Sequence, residues 1–98
     1  MGKKLPPDQL ELYKKIDEIL YYEWDPIGVS AINGPKDEYQ SYLPQIFKMA
    51  MQDTPIAVIA KSLTDLATEG MGLTPDAGHD KKAAEAIMQA KKKCILGN

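Results

Sequence analysis

Trp24-Asp25-Pro26-Ile27-Gly28-Val29, then Asn33-Gly34-Pro35, then Asp37-Glu38-Tyr39-Gln40-Ser41-Tyr42: the fold of this chain turns on how this stretch is read. Asp25-Pro26 stops a helix that arrives from upstream, because the residue before a proline is pushed out of the helical region. Asn33-Gly34 signals a turn. Pro35 suits the first position of a new helix, and Asp37 and Glu38 fall in its first turn, where the helix dipole favours anions. All seven aromatic residues lie between Tyr13 and Phe47, so this junction sits in the aromatic half of the chain.

Upstream, Leu12, Tyr13, Ile16, Ile19, Leu20 and Trp24 recur at helical spacing and predict a helix over about residues 8–23, opened by Pro6-Pro7-Asp8. Glu23 falls at the edge of that stripe. Trp24 is expected to be buried where the helix ends. Residues 25–34 read as a loop rich in apolar side chains (Ile27, Val29, Ala31, Ile32) that fold back over the core. The Asp25 carboxylate is expected to accept nearby backbone amides, and Gly28 to take a positive φ.

Downstream, Tyr39, Tyr42, Leu43, Ile46, Phe47 and Ala50 predict a second helix over about 35–52. Pro44 lies inside it, so a kink follows, with a break into two shorter helices as the alternative. Asp53-Thr54-Pro55 reads as a cap before a third helix at about 55–69, with Ile56, Ile59, Ala60, Leu63, Leu66 and Ala67 inward. Gly70 is expected to end it in the left-handed conformation. A fourth helix at about 80–94 turns Ala83, Ala86, Ile87, Ala90 and Cys94 inward, with Lys91, Lys92 and Lys93 in its last turn. The expectation is an all-α, compact four-helix bundle-like domain with a kinked second helix. It occupies residues 8–94, between a flexible tail at 1–7 and a second tail at 95–98.

Ninety-eight residues with 44% hydrophobic and 27% charged side chains have a globular balance. The net charge of −2 gives no strong field toward nucleic acid or anionic lipid. All twelve basic residues are lysine. Arginine reads guanine edges and clamps phosphate, so its absence argues against specific DNA binding and phosphoryl transfer. Thr54 to Leu63 looks like the opening helix of a helix-turn-helix, but no short turn and basic recognition helix follow. Met1-Gly2-Lys3-Lys4-Leu5-Pro6 fails as a myristoylation site and Cys94-Ile95-Leu96-Gly97-Asn98 as a prenylation box. No run has signal-peptide or membrane-spanning length. The single cysteine, Cys94, suits a reducing, cytoplasmic setting.

Candidate chemistry concentrates at the junction. Glu23, Asp25, Asp37 and Glu38 lie near Tyr22, Tyr39 and Tyr42 in sequence, which suggests a carboxylate–phenol site. Each placement also has a purely structural reason: Asp25 ends a helix, Asp37 and Glu38 start one, and the tyrosines pack. No spacing matches a metal or calcium-loop motif, and no cofactor is expected. His79, the one histidine, is expected in a loop as a solvated or capping residue. Ser41 and Cys94 lack a nucleophile motif. Off the expected core faces lie Tyr22, Val58 and a second line on the last helix, Ala84, Met88 and Ile95.

Trp24-Asp25-Pro26-Ile27-Gly28-Val29, followed by Asp37-Glu38-Tyr39-x-x-Tyr42-x-Pro44 and a late Met71-Gly72-Leu73, resembles a family of small bacterial helical proteins of unknown function. The likeness covers about residues 10–90. It implies a compact helical fold and a bacterial intracellular setting, and it implies no activity.

The residues therefore lead to a non-enzymatic protein–protein interaction module, of immunity or antitoxin type, with binding residues Tyr22, Glu23, Trp24, Asp25, Asp37, Glu38, Tyr39 and Tyr42. Its partner is expected to be another protein, not nucleic acid or membrane, and self-association is left open. The alternative is a small-molecule or metal-binding protein that uses Glu23, Asp25, Glu38 and Tyr39. Convergence of those side chains on one open pocket decides between them.

Overall fold

The apolar stripe that begins at Leu12 forms a helix because Pro7 occupies its first turn and Leu12 and Ile16 recur at helical spacing on the buried face. This is α1, Pro7–Glu18, in the computed structural model, which describes residues 5–26, 28, 34 and 39–95. The helix does not stop there. It widens into a π-helical turn over Ile19–Trp24, closed by the Asp25 amide on the Leu20 carbonyl at 3.0 Å. The wider turn advances less rotation per residue than an α-turn. Tyr21 is thereby buried beside Leu20 and Trp24, and its hydroxyl donates to the Gly34 carbonyl at 2.7 Å. Glu23, read at the edge of the stripe, is exposed.

Asp25 ends this helix in the left-handed region, at φ 35°. Gly28 follows at φ +73°, with its amide on the Asp25 carbonyl. The remaining loop residues Ile27, Val29, Ala31 and Ile32, and with them Asp37 and Glu38, lie outside the described residues.

A short 3-10 turn over Gln40–Tyr42 leads into α2, Leu43–Met51. Pro44 therefore sits in the first turn of α2, where its missing N–H has no partner to lose. The expected mid-helix kink at Pro44 is corrected accordingly. Asp53 is a second correction. It does not cap the next helix, whose start at Pro55 has no side-chain cap. It instead terminates α2 at φ 55°, a conformation that short acidic side chains tolerate.

The third helix, α3, spans Ile56–Asp65 and continues as a π-turn over Leu66–Gly70. The left-handed residue after it is Gly72, at φ +71°, not Gly70 as expected. The wide turn delays the reversal, which is closed by the Leu73 amide on the Ala67 carbonyl at 2.9 Å.

The last helix, α4, spans Ala77–Ile95 and is the longest. Asp76 caps its start, its Oδ1 accepting the His79 amide at 3.1 Å. This moves the helix start three residues upstream of the expected Asp80 and draws His79 into the first turn. Ala83, Ala84, Ile87 and Lys91 are buried along it. Ala84 is fully buried, and Met88 and Ile95 pack against the core, so the expected outer line of α4 is part of the inner one.

Among the described residues there are helices and no strand. Thr64 bonds to Asp80 and Asp53 to Lys91, so α3 and α4 run antiparallel. Trp24 against Asp80, with Glu11 beside Cys94, sets α1 antiparallel to α4, and Trp24 against Tyr42, with Tyr13 against Phe47, sets it antiparallel to α2. Leu12, Ile16, Leu20, Trp24, Ile46, Ile59, Leu63 and Ile87 fill the centre. The radius of gyration, 13.0 Å, is that of a close-packed domain of about 100 residues. No helix of the described residues is long and apolar enough to cross a membrane.

Candidate functional site

Trp24 is fully buried at the point where α1 ends. A buried indole needs an acceptor for its N–H. It finds one in α4: Nε1 donates to Asp80 Oδ1 at 3.0 Å. The other carboxylate oxygen of Asp80 accepts the Thr64 hydroxyl from α3 at 2.6 Å. Asp80 is 3% exposed, so its charge lies inside the protein, held by donors from two other helices.

His79, one residue earlier, reaches the same helix end. Its Nε2 hydrogen-bonds the Trp24 carbonyl, which can only accept, so that nitrogen carries the proton. The expected capping role is thus met across the fold: His79 satisfies the end of the first helix. Asp25, next to Trp24, accepts the Tyr39 hydroxyl at 2.7 Å. Tyr39 is buried with its ring 5.3 Å from the indole, and the half-buried Tyr42 meets the indole edge-on at 6.2 Å.

A hollow of ≈ 260 Å³ opens beside these groups, with Asp25, Asp76, His79 and Asp80 on its walls. One π-turn, through Ala67, and a left-handed aspartate, Asp25, border it, features that recur at functional sites. Its polar groups, however, are spent inside the protein. Asp25 holds Tyr39, Asp76 holds the α4 amide, Asp80 holds Trp24 and Thr64, and His79 holds a carbonyl. Among the described residues no group of three or more His, Cys, Asp or Glu side chains is placed to hold a metal ion.

The expected binding residues thus divide. Trp24, Asp25, Tyr39 and Tyr42 come together, and of these Asp25 and Tyr39 bond to each other. Tyr22 and Glu23 face away, onto a groove of ≈ 490 Å³ between α1 and α4 that Glu11, Glu18 and Cys94 also line. Asp37 and Glu38 lie outside the described residues. Glu23 and Asp25 therefore open onto different hollows, and the set Glu23, Asp25, Tyr39 does not converge on one pocket. The Cys94 thiol is raised above its ordinary pKa by burial, then by Glu11, with Lys15 opposing and Asp8 adding. It stays protonated near neutrality, which makes it a poor nucleophile.

Sequence reasoning missed Asp80, Thr64 and Lys91. Asp80, Ala83, Ala84, Ile87 and Lys91 repeat every three or four residues, so the inward face of α4 carries both ionisable side chains. Lys91, expected in the last turn of the helix, is 6% exposed and donates to Asp53.

An open, largely apolar surface lies elsewhere, along the seam of α3 and α4. Two adjoining hollows of ≈ 650 and ≈ 550 Å³ share Ile56 and Glu85 and run the length of the pair. Ile56, Ala57, Ala60, Ala77 and Met88 supply apolar surface, and Lys61, Asp65, Lys81 and Glu85 stand at the rims. Val58, 47% exposed, adjoins it on α3.

Fold and surface together define a small all-α domain with an internal polar clasp and an open interhelical groove. No protein-family model, curated protein or solved structure matches the chain.

Proposed function

We propose that this chain is a non-enzymatic protein-interaction module of a bacterial cytoplasm, of the kind that acts by holding another protein, as immunity proteins and antitoxins do. The observation that carries the reading is the α3/α4 groove: apolar along its length, charged at its rims, and wide enough for a partner's side chains. Binding surfaces of this composition gain from burying apolar area while polar rims set register. The polar groups near Trp24 support the same reading from the other side, because each is already committed to a bond within the fold. The expected junction residues then act mainly by shaping the domain, and Tyr22 stays available as a separate exposed aromatic.

Affinity capture from the producing cells tests this. The wild-type chain should retain a protein at near-stoichiometric amounts. Ala57→Arg places a long cation on the exposed groove wall and should abolish retention with the fold intact by circular dichroism. Tyr22→Ala, on the α1/α4 side, should leave it unchanged. Retention that survives Ala57→Arg removes the groove from the account, and the absence of any retained protein removes the interaction reading.

A further inference from the structure

We propose that the α3/α4 groove takes one amphipathic helix of a partner protein, with a carboxylate midway along that helix's apolar stripe. The inference rests on the protein-interaction reading and names the chemistry of its partner. The argument is one of charge and register. Thr64 on Asp80 fixes α3 against α4, which puts Lys61 and Lys81 about half a turn (~3 Å) apart along the axis, on opposite walls of the same hollow. The middle of the groove is therefore flanked by two ammonium groups. Lys61 pairs with Asp65 at 3.2 Å, but its side chain is 76% exposed, so that pair is weak and readily exchanged. Among the described residues no carboxylate pairs with Lys81.

The apolar floor between the lysines is shallow and built from small side chains, Ala57, Ala60 and Ala77, which lets another backbone approach closely. The walls run from Ile56 to Asp65, about 15 Å at 1.5 Å per residue, the span of three helical turns. Helix-in-groove recognition uses this geometry, with apolar anchors at three- and four-residue spacing. An acidic side chain at the centre of the incoming stripe meets both lysines. Glu85 then selects a cation nearer the Ile56 end of the groove.

A phage-displayed library of amphipathic helical peptides, selected on the whole protein, tests the inference. Enriched sequences should carry Asp or Glu flanked by apolar residues three or four positions away on each side. Their affinity should fall roughly tenfold on Lys61→Glu/Lys81→Glu, and selection on that double variant should enrich Lys or Arg at the same position. The lysines are exposed or at a rim, so the variant should fold as the wild type does, which its circular dichroism checks. No enrichment, a consensus without the acid, or affinity indifferent to the charge reversal overturns the proposal. So does a concentration-dependent dimer in sedimentation that Ala57→Arg abolishes. If cellular capture is lost in Ala57→Arg while the peptide consensus lacks the acid, the interaction reading stands and this inference alone falls.

Discussion

Asp80→Ala should destabilise the domain by about 3 kcal/mol. The carboxylate holds two donors at once, the Trp24 indole at 3.0 Å and the Thr64 hydroxyl at 2.6 Å, in a place 3% exposed to water. Truncation strands the indole N–H inside the core, where an unsatisfied donor costs about 1–3 kcal/mol. Thr64 suffers less, since its hydroxyl also reaches the Ala60 carbonyl at 3.1 Å. The small void left by the side chain adds to the loss, and relief of carboxylate desolvation subtracts from it. Asp80→Asn keeps one oxygen for the indole and should cost only about 1 kcal/mol. Urea melts followed by Trp24 fluorescence and by circular dichroism read both. With a slope near 1–1.5 kcal/mol per molar, Asp80→Ala should lower the midpoint by about 2–3 M. Trp24→Phe removes the same bond from the other end, so its effect and that of Asp80→Ala should fall short of additivity in a double-mutant cycle. A loss below about 1 kcal/mol for Asp80→Ala, or full additivity in the cycle, refutes the view that this carboxylate clasps the helices together.

Trp24→Ala should cost ~3–5 kcal/mol in urea melts followed by circular dichroism, as for other large buried aromatics; less than about 1 kcal/mol would place the ring outside the core. Gly28→Ala meets open space but must hold φ near +73°, so a loss of about 1 kcal/mol is expected from backbone strain alone, and an unchanged midpoint would contradict it. Cys94 should react more slowly with a thiol reagent at pH 8 than a free cysteine, because its folded pKa is raised. The sign for stability follows: the unfolded thiol ionises first, so the native state binds more protons above the unfolded pKa, and stability falls as pH rises through it. Cys94→Ser should flatten that alkaline slope.

The helical stripes were legible because burial selects side chains by period, and Leu12, Ile16, Leu20, Ile46, Ile59, Leu63 and Ile87 all sit where their spacing puts them. Gly28 was legible for a similar local reason, since a bend after Asp25-Pro26 calls for a positive φ. The π-turns were not. Neither Ile19–Trp24 nor Leu66–Gly70 carries a local signal that separates a π-turn from the last turn of an α-helix. The wider register buries Tyr21 and moves the left-handed glycine from Gly70 to Gly72. Asp80 and Lys91 were not legible as buried, because ionisable residues ordinarily face water. Each instead has a partner distant in sequence, Trp24 and Thr64 for one and Asp53 for the other. Of the candidate site, Asp25 with Tyr39 could be foreseen from proximity at the junction. The α3/α4 groove could not, because it is made by two helices whose pairing no local pattern encodes.

Site-specific photo-crosslinking in the producing cells tests the central claim most directly. A photoreactive residue at Ala57, on the groove wall, should give a discrete adduct with one other protein. The same residue at Glu23, on the α1/α4 side, should give none. An adduct from Glu23 and none from Ala57 would contradict the account.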